Sequence, residues 1–549
     1  MTIIIMTTIL GSAFKSNNRV QSFLLRHPSR RIASSTTVFF STKASAAAST
    51  VAESSSALRE SLPISQAPVI TLRRSRQSKA FRNGNQLVFT KAIQSGSAEP
   101  CALVQVVVAE EGGNNNSKIN NKKGQSNNNT PSPPQQQQIQ PQYHPIGWGV
   151  YNPNSLYKIR ILCHRYLQPS LYSVITPSKK AKEEEHMTVE SAMQAMLKHH
   201  FTMAVKKRQA LGLKMNEANS DSNMFRLVNG EGDGLSGLQV DVIASHIVIQ
   251  SSAAWCEMHK DLIMSTVEQV TNCNPENIVW KVAQNRLKQD GYYDQDITSN
   301  NNDEDGDDDV IVVDKNTEEA AAEPVLALEN GVAFQTFPAL EGQKTGVYCD
   351  QRENRRTLSQ YTQDKTVLDL CCYHGGFSLT ALVKGGAAKA VGVDSSAAAI
   401  ECAQANAVLN NVQDDKMTFL QSDITEYMQQ AATDGVSFDV VVLDPPKLAP
   451  TAASLDKARR KYHGLNRDAI KLVNPAEGGI LMTCTCSAAM TQAEGGQYFL
   501  NMVAGAALAA GREVTLLSKA GAASCHTQSP VSWPAGAYLT AAIFYVHPI

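Results

Sequence analysis

Two segments hold residue types able to make and break covalent bonds. Ile480-Leu481-Met482-Thr483-Cys484-Thr485-Cys486-Ser487 reads as a strand that carries thiols to its end. Phe438-Asp439-Val440-Val441-Val442-Leu443-Asp444-Pro445-Pro446-Lys447 reads as a second strand, with an acid and a proline-stiffened exit loop. A thiolate is a strong nucleophile, and a neighbouring carboxyl can stabilise charge that develops on addition, so the pair suits covalent catalysis. Period-two alternation sets Cys484 and Cys486 on one face and does not choose between them. Otherwise each would be a small buried hydrophobe. Three more acids stand at strand ends: Asp369 in Val367-Leu368-Asp369-Leu370, Asp394 after Val391-Gly392-Val393, and Asp423 after Phe419-Leu420-Gln421-Ser422. The turn Cys371-Cys372-Tyr373-His374-Gly375-Gly376-Phe377 leads from the first of these strands into a helical run. Its glycines let a ligand approach the backbone closely. Cys371 and Cys372 read as packing residues there, and His374 as incidental.

These residues need a frame that brings them to one place. Strand, Gly-containing turn and helix is how a doubly wound parallel sheet opens a ligand crevice at its carboxyl edge. All four acids then fall on that edge. A carboxylate at the tip of the second strand, Asp394, suits the two hydroxyls of a ribose. The GxGxxG pattern of dinucleotide-dependent dehydrogenases is absent from this turn. Residues 325–549 therefore form one α/β domain in this reading. Upstream, 68–176 alternates in strand fashion and predicts a small β domain. Residues 188–297 begin with a helical pattern (Met193, Met196, Leu197, Phe201, Ala204) and pass into strands, predicting a small α+β domain. Two inserts interrupt these units: 112–142 is rich in Asn, Gln, Pro and Ser, and 298–323 is acidic. Both are expected to be disordered.

The chain has 549 residues, 42% of them hydrophobic and 18% charged, enough to build several sizeable cores. No run of about 18 apolar residues predicts a membrane span. The 11 cysteines show no CxxC pair, so neither a disulfide scaffold nor a structural zinc site is expected, and no metal is assigned. The net charge of -1 conceals segregation. Residues 302–323 hold ten acids and one base, while 1–52 hold six basic residues and no acid. The latter composition, rich in Ser and Thr, is that of an organelle transit peptide, and residues 1–60 are assigned as presequence. The apolar start ending in Gly11-Ser12-Ala13-Phe14 favours a plastid over a mitochondrion. Arg73, Arg74, Arg76, Lys79 and Arg82 form a basic cluster suited to phosphates. Phe81 and Phe89 lie within reach of it in sequence, for the core or for stacking on bases.

The ordered acids resemble a class I S-adenosylmethionine-dependent methyltransferase with a Rossmann-like domain. The stretch Gly342-Gln343-Lys344-Thr345-Gly346-Val347-Tyr348-Cys349-Asp350-Gln351-Arg352-Glu353-Asn354-Arg355, taken with Asp444-Pro445-Pro446-Lys447 and Thr483-Cys484-Thr485-Cys486-Ser487, is similar to the RlmI group of bacterial 23S rRNA cytosine-carbon-5 methyltransferases. Phe225 to Asp241 resembles that group's central domain. Leu72-Arg73-Arg74-Ser75-Arg76 and Gly147-Trp148-Gly149-Val150-Tyr151-Asn152-Pro153-Asn154-Ser155 resemble its N-terminal, β-rich PUA domain. The resemblance covers 68–549 apart from the inserts.

That resemblance implies S-adenosylmethionine as cofactor and large-subunit ribosomal RNA as partner. It implies Cys486 as the nucleophile, with Cys484 still open from alternation, and Asp444 as the acid that contacts the base. The implied cofactor residues are Gln351, Arg352, Asn354, Asp369, Tyr373, Gly375, Gly376, Phe377, Asp394, Asp423 and Asp444. The implied RNA contacts are Arg73, Arg74, Arg76, Lys79 and Lys447. Lys447 stands where other cytosine-carbon-5 RNA methyltransferases carry a second cysteine, and Cys371 and His374 depart from the group's usual turn. Two other readings are methylation of another RNA atom, such as a guanine nitrogen, and a non-catalytic RNA-binding ribosome-assembly factor. Oligomeric state stays open, a homodimer included.

Overall fold

A computed structural model describes residues 62–74, 80–81, 83–109, 143–176, 187–215, 220–293, 311–314, 323–338, 348–449 and 451–549. The presequence, the 112–142 insert, most of the acidic insert, the residues 341–347, and Arg76, Lys79 and Arg82 lie outside the described residues. The described residues belong to one unit, Glu60–Ile549.

The first sheet comprises β1 (Val69–Leu72), β2 (Leu87–Phe89), β3 (Ile93–Ser95), β4 (Ala102–Ala109), β5 (Tyr143–Tyr151) and β6 (Tyr157–His164), in the order β2-β6-β5-β4-β1-β3. Alternation along β4 serves two cores. Val104, Val106 and Val108 pack with Ile70, Leu72, Phe81 and Ile159. Leu103 faces the other way, into a cluster with Trp148 and Phe201. Phe81 is a core residue, but Phe89 is 42% exposed.

The second sheet comprises β7 (Met224–Asn229), β8 (Leu238–Ile243), β9 (His246–Ser251), β10 (Ile278–Ala283) and β11 (Ile311–Val313), in the order β11-β10-β9-β8-β7. The helix Val189–Ala210 packs against it. Its N-cap Thr188 accepts from the Ser191 amide at 3.1 Å, and Met193, Met196, Leu197, Phe201 and Ala204 line the buried face at the predicted spacing. Strand β11 corrects the expectation of disorder throughout 298–323. Ile311 and Val313 are buried, and the segment pairs antiparallel with β10. Three consecutive β-branched residues can cap an open sheet edge even inside an acidic segment.

The hairpin β12 (Val325–Glu329) and β13 (Val332–Thr336) follows. Its two turn residues, Asn330 (φ 50°) and Gly331 (φ 74°), are the pair that a tight hairpin with two positive φ values requires. The last sheet comprises β14 (Thr366–Leu370), β15 (Lys389–Asp394), β16 (Met417–Gln421), β17 (Val440–Leu443), β18 (Gly479–Thr485), β19 (Val514–Ala520) and β20 (Thr540–Val546), in the order β16-β15-β14-β17-β18-β20-β19. The first five in that order are mutually parallel, while β20 runs antiparallel to β18 and β19. Strand order reverses direction at β14–β17, where a doubly wound sheet opens its crevice.

The last sheet keeps cores of its own and so does one face of the first, but the three segments also share buried residues. Buried residues of the first sheet, the second sheet and the loop residues Ala523 and Cys525 form one cluster. That loop joins β19 to β20. Its Ser532 Oγ accepts from the Gln86 amide at 3.0 Å, its Thr527 Oγ1 donates to Asp233 at 2.7 Å, and its Ala523 amide donates to the Asp350 carbonyl at 2.8 Å. Asp233 also holds Arg208 in a bidentate pair at 2.7 and 2.9 Å, both side chains being buried.

Candidate active site

Each chemically able residue reaches the site because a parallel strand ends there. Val367, Leu368 and Leu370 bury β14, and Asp369 sits fully buried among them. One Asp369 oxygen accepts from the Ser378 amide at 2.9 Å, and the other, Oδ1, is buried without a hydrogen-bond partner. Burial raises its pKa to about 6. After β14 the chain turns through Cys371 (φ 63°), Tyr373 (φ 50°) and Gly375 (φ 83°), then starts the helix Gly376–Val383. A Cβ on Gly376 would meet Arg355 Nε at 2.6 Å, and one on Gly375 would meet Phe419 at 2.9 Å. The glycines therefore thin the turn against side chains of the protein itself, a reason not visible in the sequence. Arg355 is fixed there by Glu329, at 2.8 and 3.0 Å.

Asp394, at the end of β15, accepts from the Tyr373 amide and the Ser396 amide, both at 2.9 Å. It ties the turn to the second strand and keeps further lone pairs for a ligand. Asp423 is exposed and caps the helix Ile424–Thr433 through the amides of Thr425 (2.7 Å) and Glu426 (3.2 Å), which hold its carboxyl below the usual range. Phe377 is only 5% exposed and packs in the core behind the turn, with Arg355 over its ring. Arg352 is turned toward Cys525 Sγ (3.4 Å) and Glu353 (3.3 Å). His374 is buried between Tyr373 and Phe334, and neither ring nitrogen has a hydrogen-bond partner. Burial, then the Arg355 charge, lowers its pKa to about 3, which leaves a neutral packing ring.

The reactive end of the crevice lies at β17 and β18. Asp444 follows β17 directly, keeps a partly exposed edge, and accepts from Gln351 Nε2 at 3.0 Å. Gln351 is oriented in turn by Asn354 Nδ2, which also donates to the Gly521 carbonyl. Desolvation first, then the charge of Asp350, raises the Asp444 pKa to about 7. Cys484 lies inside β18, fully buried in the sheet's core, and burial drives its pKa well up. Cys486 is one residue past the strand and partly exposed. Alternation had set both on one face, but the strand ends before Cys486. Thr485 Oγ1 donates to Tyr462 Oη at 2.9 Å, and Ser487 Oγ donates to the Ala449 carbonyl, fastening the cysteine turn to the loop after Asp444.

Two residues here carried no assignment from the sequence. Asp350 is buried, and its Oδ2 accepts from Tyr538 Oη at 2.7 Å. Asp350 precedes Gln351 and had a signal in that stretch. Tyr538 lies 188 residues away in the β19–β20 loop and had none. Arg73, Arg74 and Lys447 are exposed.

Sequence and structure comparisons agree with this geometry. The family of S-adenosylmethionine-dependent methyltransferases matches residues 313–509. Ribosomal RNA large subunit methyltransferase I of Aeromonas hydrophila is 35% identical over 316 residues, covering 57% of this chain and 72% of that protein. Its namesake in Shewanella frigidimarina is 36% identical over 315 residues, with the same coverage. A solved Streptococcus mutans structure assigned as a SAM-dependent methyltransferase shares the fold, with a TM-score of 0.57 at 18% identity over 87% of this chain and all of that one. At that identity and coverage, the chain belongs to the ribosomal RNA large subunit methyltransferase I family of S-adenosylmethionine-dependent methyltransferases.

Proposed function

We propose that this enzyme methylates carbon-5 of a cytosine in large-subunit ribosomal RNA through a covalent adduct at Cys486. The supporting observation is the contrast between the two thiols: Cys486 is partly exposed at the edge that holds Asp444, whereas Cys484 is buried in the core. The residues present fit S-adenosylmethionine, since a buried Asp369 oxygen lacks a partner beside the glycine turn and Asp394 stands at the second strand tip. Asp369, Asp394 and the backbone of Tyr373–Gly376 would hold it. When bound, it supplies an electrophilic methyl group.

Carbon-5 of cytosine is a weak nucleophile until carbon-6 is saturated. The Cys486 thiolate adds to carbon-6, forming a C–S bond. Asp444, with its pKa raised to about 7, is protonated in a large fraction at neutral pH and donates toward N3 as charge develops there. Carbon-5 then carries enamine character and accepts the methyl. Loss of the carbon-5 proton re-forms the ring double bond and expels the thiolate.

Exposed cations support RNA as the substrate. Lys457, Arg459, Arg460 and Lys461 lie exposed on the helix Leu455–Lys471, which follows the Asp444 loop, and Lys447 is exposed on that loop. Arg73 and Arg74 extend the basic surface to the first sheet, which we read as a PUA-type RNA-binding module. We further read residues 1–52 as directing the enzyme to an organelle, a plastid before a mitochondrion. The test is adduct formation with large-subunit rRNA fragments carrying 5-fluorocytosine. Wild type and Cys484→Ala are expected to give a denaturant-resistant adduct and Cys486→Ala none. Activity retained in Cys486→Ala would point to a different methyl acceptor.

A further inference from the structure

Whichever group activates the ring, carbon-5 holds both a hydrogen and the new methyl after transfer. The cycle closes only if a base takes that hydrogen as a proton, and a group on the protein can supply it. Few described residues at the reactive edge are placed for it. Asp444 is engaged by Gln351 and, in the proposed reaction, stands as the proton donor at the ring nitrogen. Cys484 is shut inside the sheet, Tyr462 is fully buried and accepts from Thr485, and His374 is enclosed behind the cofactor turn. Lys447 is exposed on the outer loop.

Tyr538 and Asp350 differ from all of these. Tyr538 is partly exposed, and its hydroxyl donates to the buried Asp350 carboxylate at 2.7 Å. Its position is fixed from the Cys486 side, because Thr491 Oγ1 donates to the Tyr538 carbonyl at 2.9 Å and Gln492 Nε2 donates to the Ala537 carbonyl at 3.1 Å. Thr491 and Gln492 close the short helix Ala488–Gln492 that begins right after Cys486-Ser487. On the other side, Asp350 is the chain neighbour of Gln351, which holds Asp444. The phenol thus stands between the nucleophile's helix and the acid's anchor. Cys486 and Asp350 are both among the groups whose charge acts on it.

We propose that Tyr538 and Asp350 form the proton acceptor that releases the methylated base from Cys486. The Tyr538 oxygen takes the carbon-5 proton while its own proton passes to Asp350 Oδ2. The C5–H electron pair becomes the C5=C6 bond, and the C6–S pair returns to Cys486 as thiolate. Tyr538 is neutral before and after, in keeping with a site where burial and the Asp350 charge disfavour a phenolate. Asp350 ends protonated and gives its proton to solvent through Tyr538 once product leaves.

This inference rests on the covalent reading of the reaction, and the experiment separates the two. Wild type and Tyr538→Phe are incubated with S-adenosylmethionine and large-subunit rRNA fragments containing either cytosine or 5-fluorocytosine, and adducts are read on a denaturing gel. Fluorocytosine lacks a removable carbon-5 proton, so both proteins are expected to give the same adduct with it. With ordinary cytosine, Tyr538→Phe is expected to accumulate a methylated adduct that wild type resolves, and to turn over about 10²–10⁴-fold more slowly. Asp350→Asn should do the same, with cofactor binding measured to confirm folding. No fluorocytosine adduct in wild type would remove the covalent reading itself. An adduct in wild type, with Tyr538→Phe turning over normally or losing the fluorocytosine adduct, would overturn the role of the pair.

Discussion

Replacing Asp444 by Asn separates its charge from its shape. The amide can still accept from Gln351 Nε2 through its oxygen, so the 3.0 Å contact survives while the ionisation is removed. The folded carboxyl has a pKa raised from 3.8 to about 7. The folded state therefore binds more protons than the unfolded chain across that window. Stability from this group is complete below about pH 4 and is lost as pH rises through about 7. The full shift corresponds to about 4 kcal/mol, of which about 2–3 kcal/mol falls between pH 5 and pH 8. The partly exposed edge of Asp444 makes these upper bounds. Asp444→Asn escapes the penalty, so its stability relative to wild type should rise with pH. Thermal melts of the two proteins at half-unit steps from pH 5 to 8 give the gap directly, at ~1 °C per kcal/mol for a unit of this size. A gap that is flat, or that narrows with rising pH, would refute the assignment of a buried, like-charge-perturbed carboxyl. The same titration should mark activity: the donor form of Asp444 disappears as pH rises through about 7.

Two structural predictions accompany it. Arg208→Ala takes the bidentate partner from buried Asp233 and leaves it paired with Lys207, so denaturant unfolding should show a loss below the about 3–5 kcal/mol of a fully unpaired charge, with faster proteolysis in the 521–538 loop. Gly376→Ala drives a Cβ to 2.6 Å from an Arg355 that Glu329 prevents from moving, so isothermal titration should show weakened S-adenosylmethionine binding, about tenfold or more.

The parts of the fold that were legible were those governed by local period. The helix Val189–Ala210 buries the residues its spacing nominated, and the parallel strands deliver Asp369, Asp394, Asp423 and Asp444 to one edge. What escaped depends on distant partners. Phe377 sits at the end of the glycine turn but faces the core. Ile311–Val313 hides in an acidic run and shows itself only when β10 offers an edge. The Tyr538–Asp350 pair joins residues with no shared motif.

The β19–β20 loop has a consequence for how the site is held together. Its contacts reach back to Gly84, Gln86, Asp233 and Asp350, so its closures span up to 448 residues of chain. Closures of such length form late, because the entropy of bringing the ends together must be offset by structure already in place. The loop that carries Tyr538 to Asp350 is thus held by the first and second sheets as well as by the last, so the wall of the site depends on residues far from it in sequence.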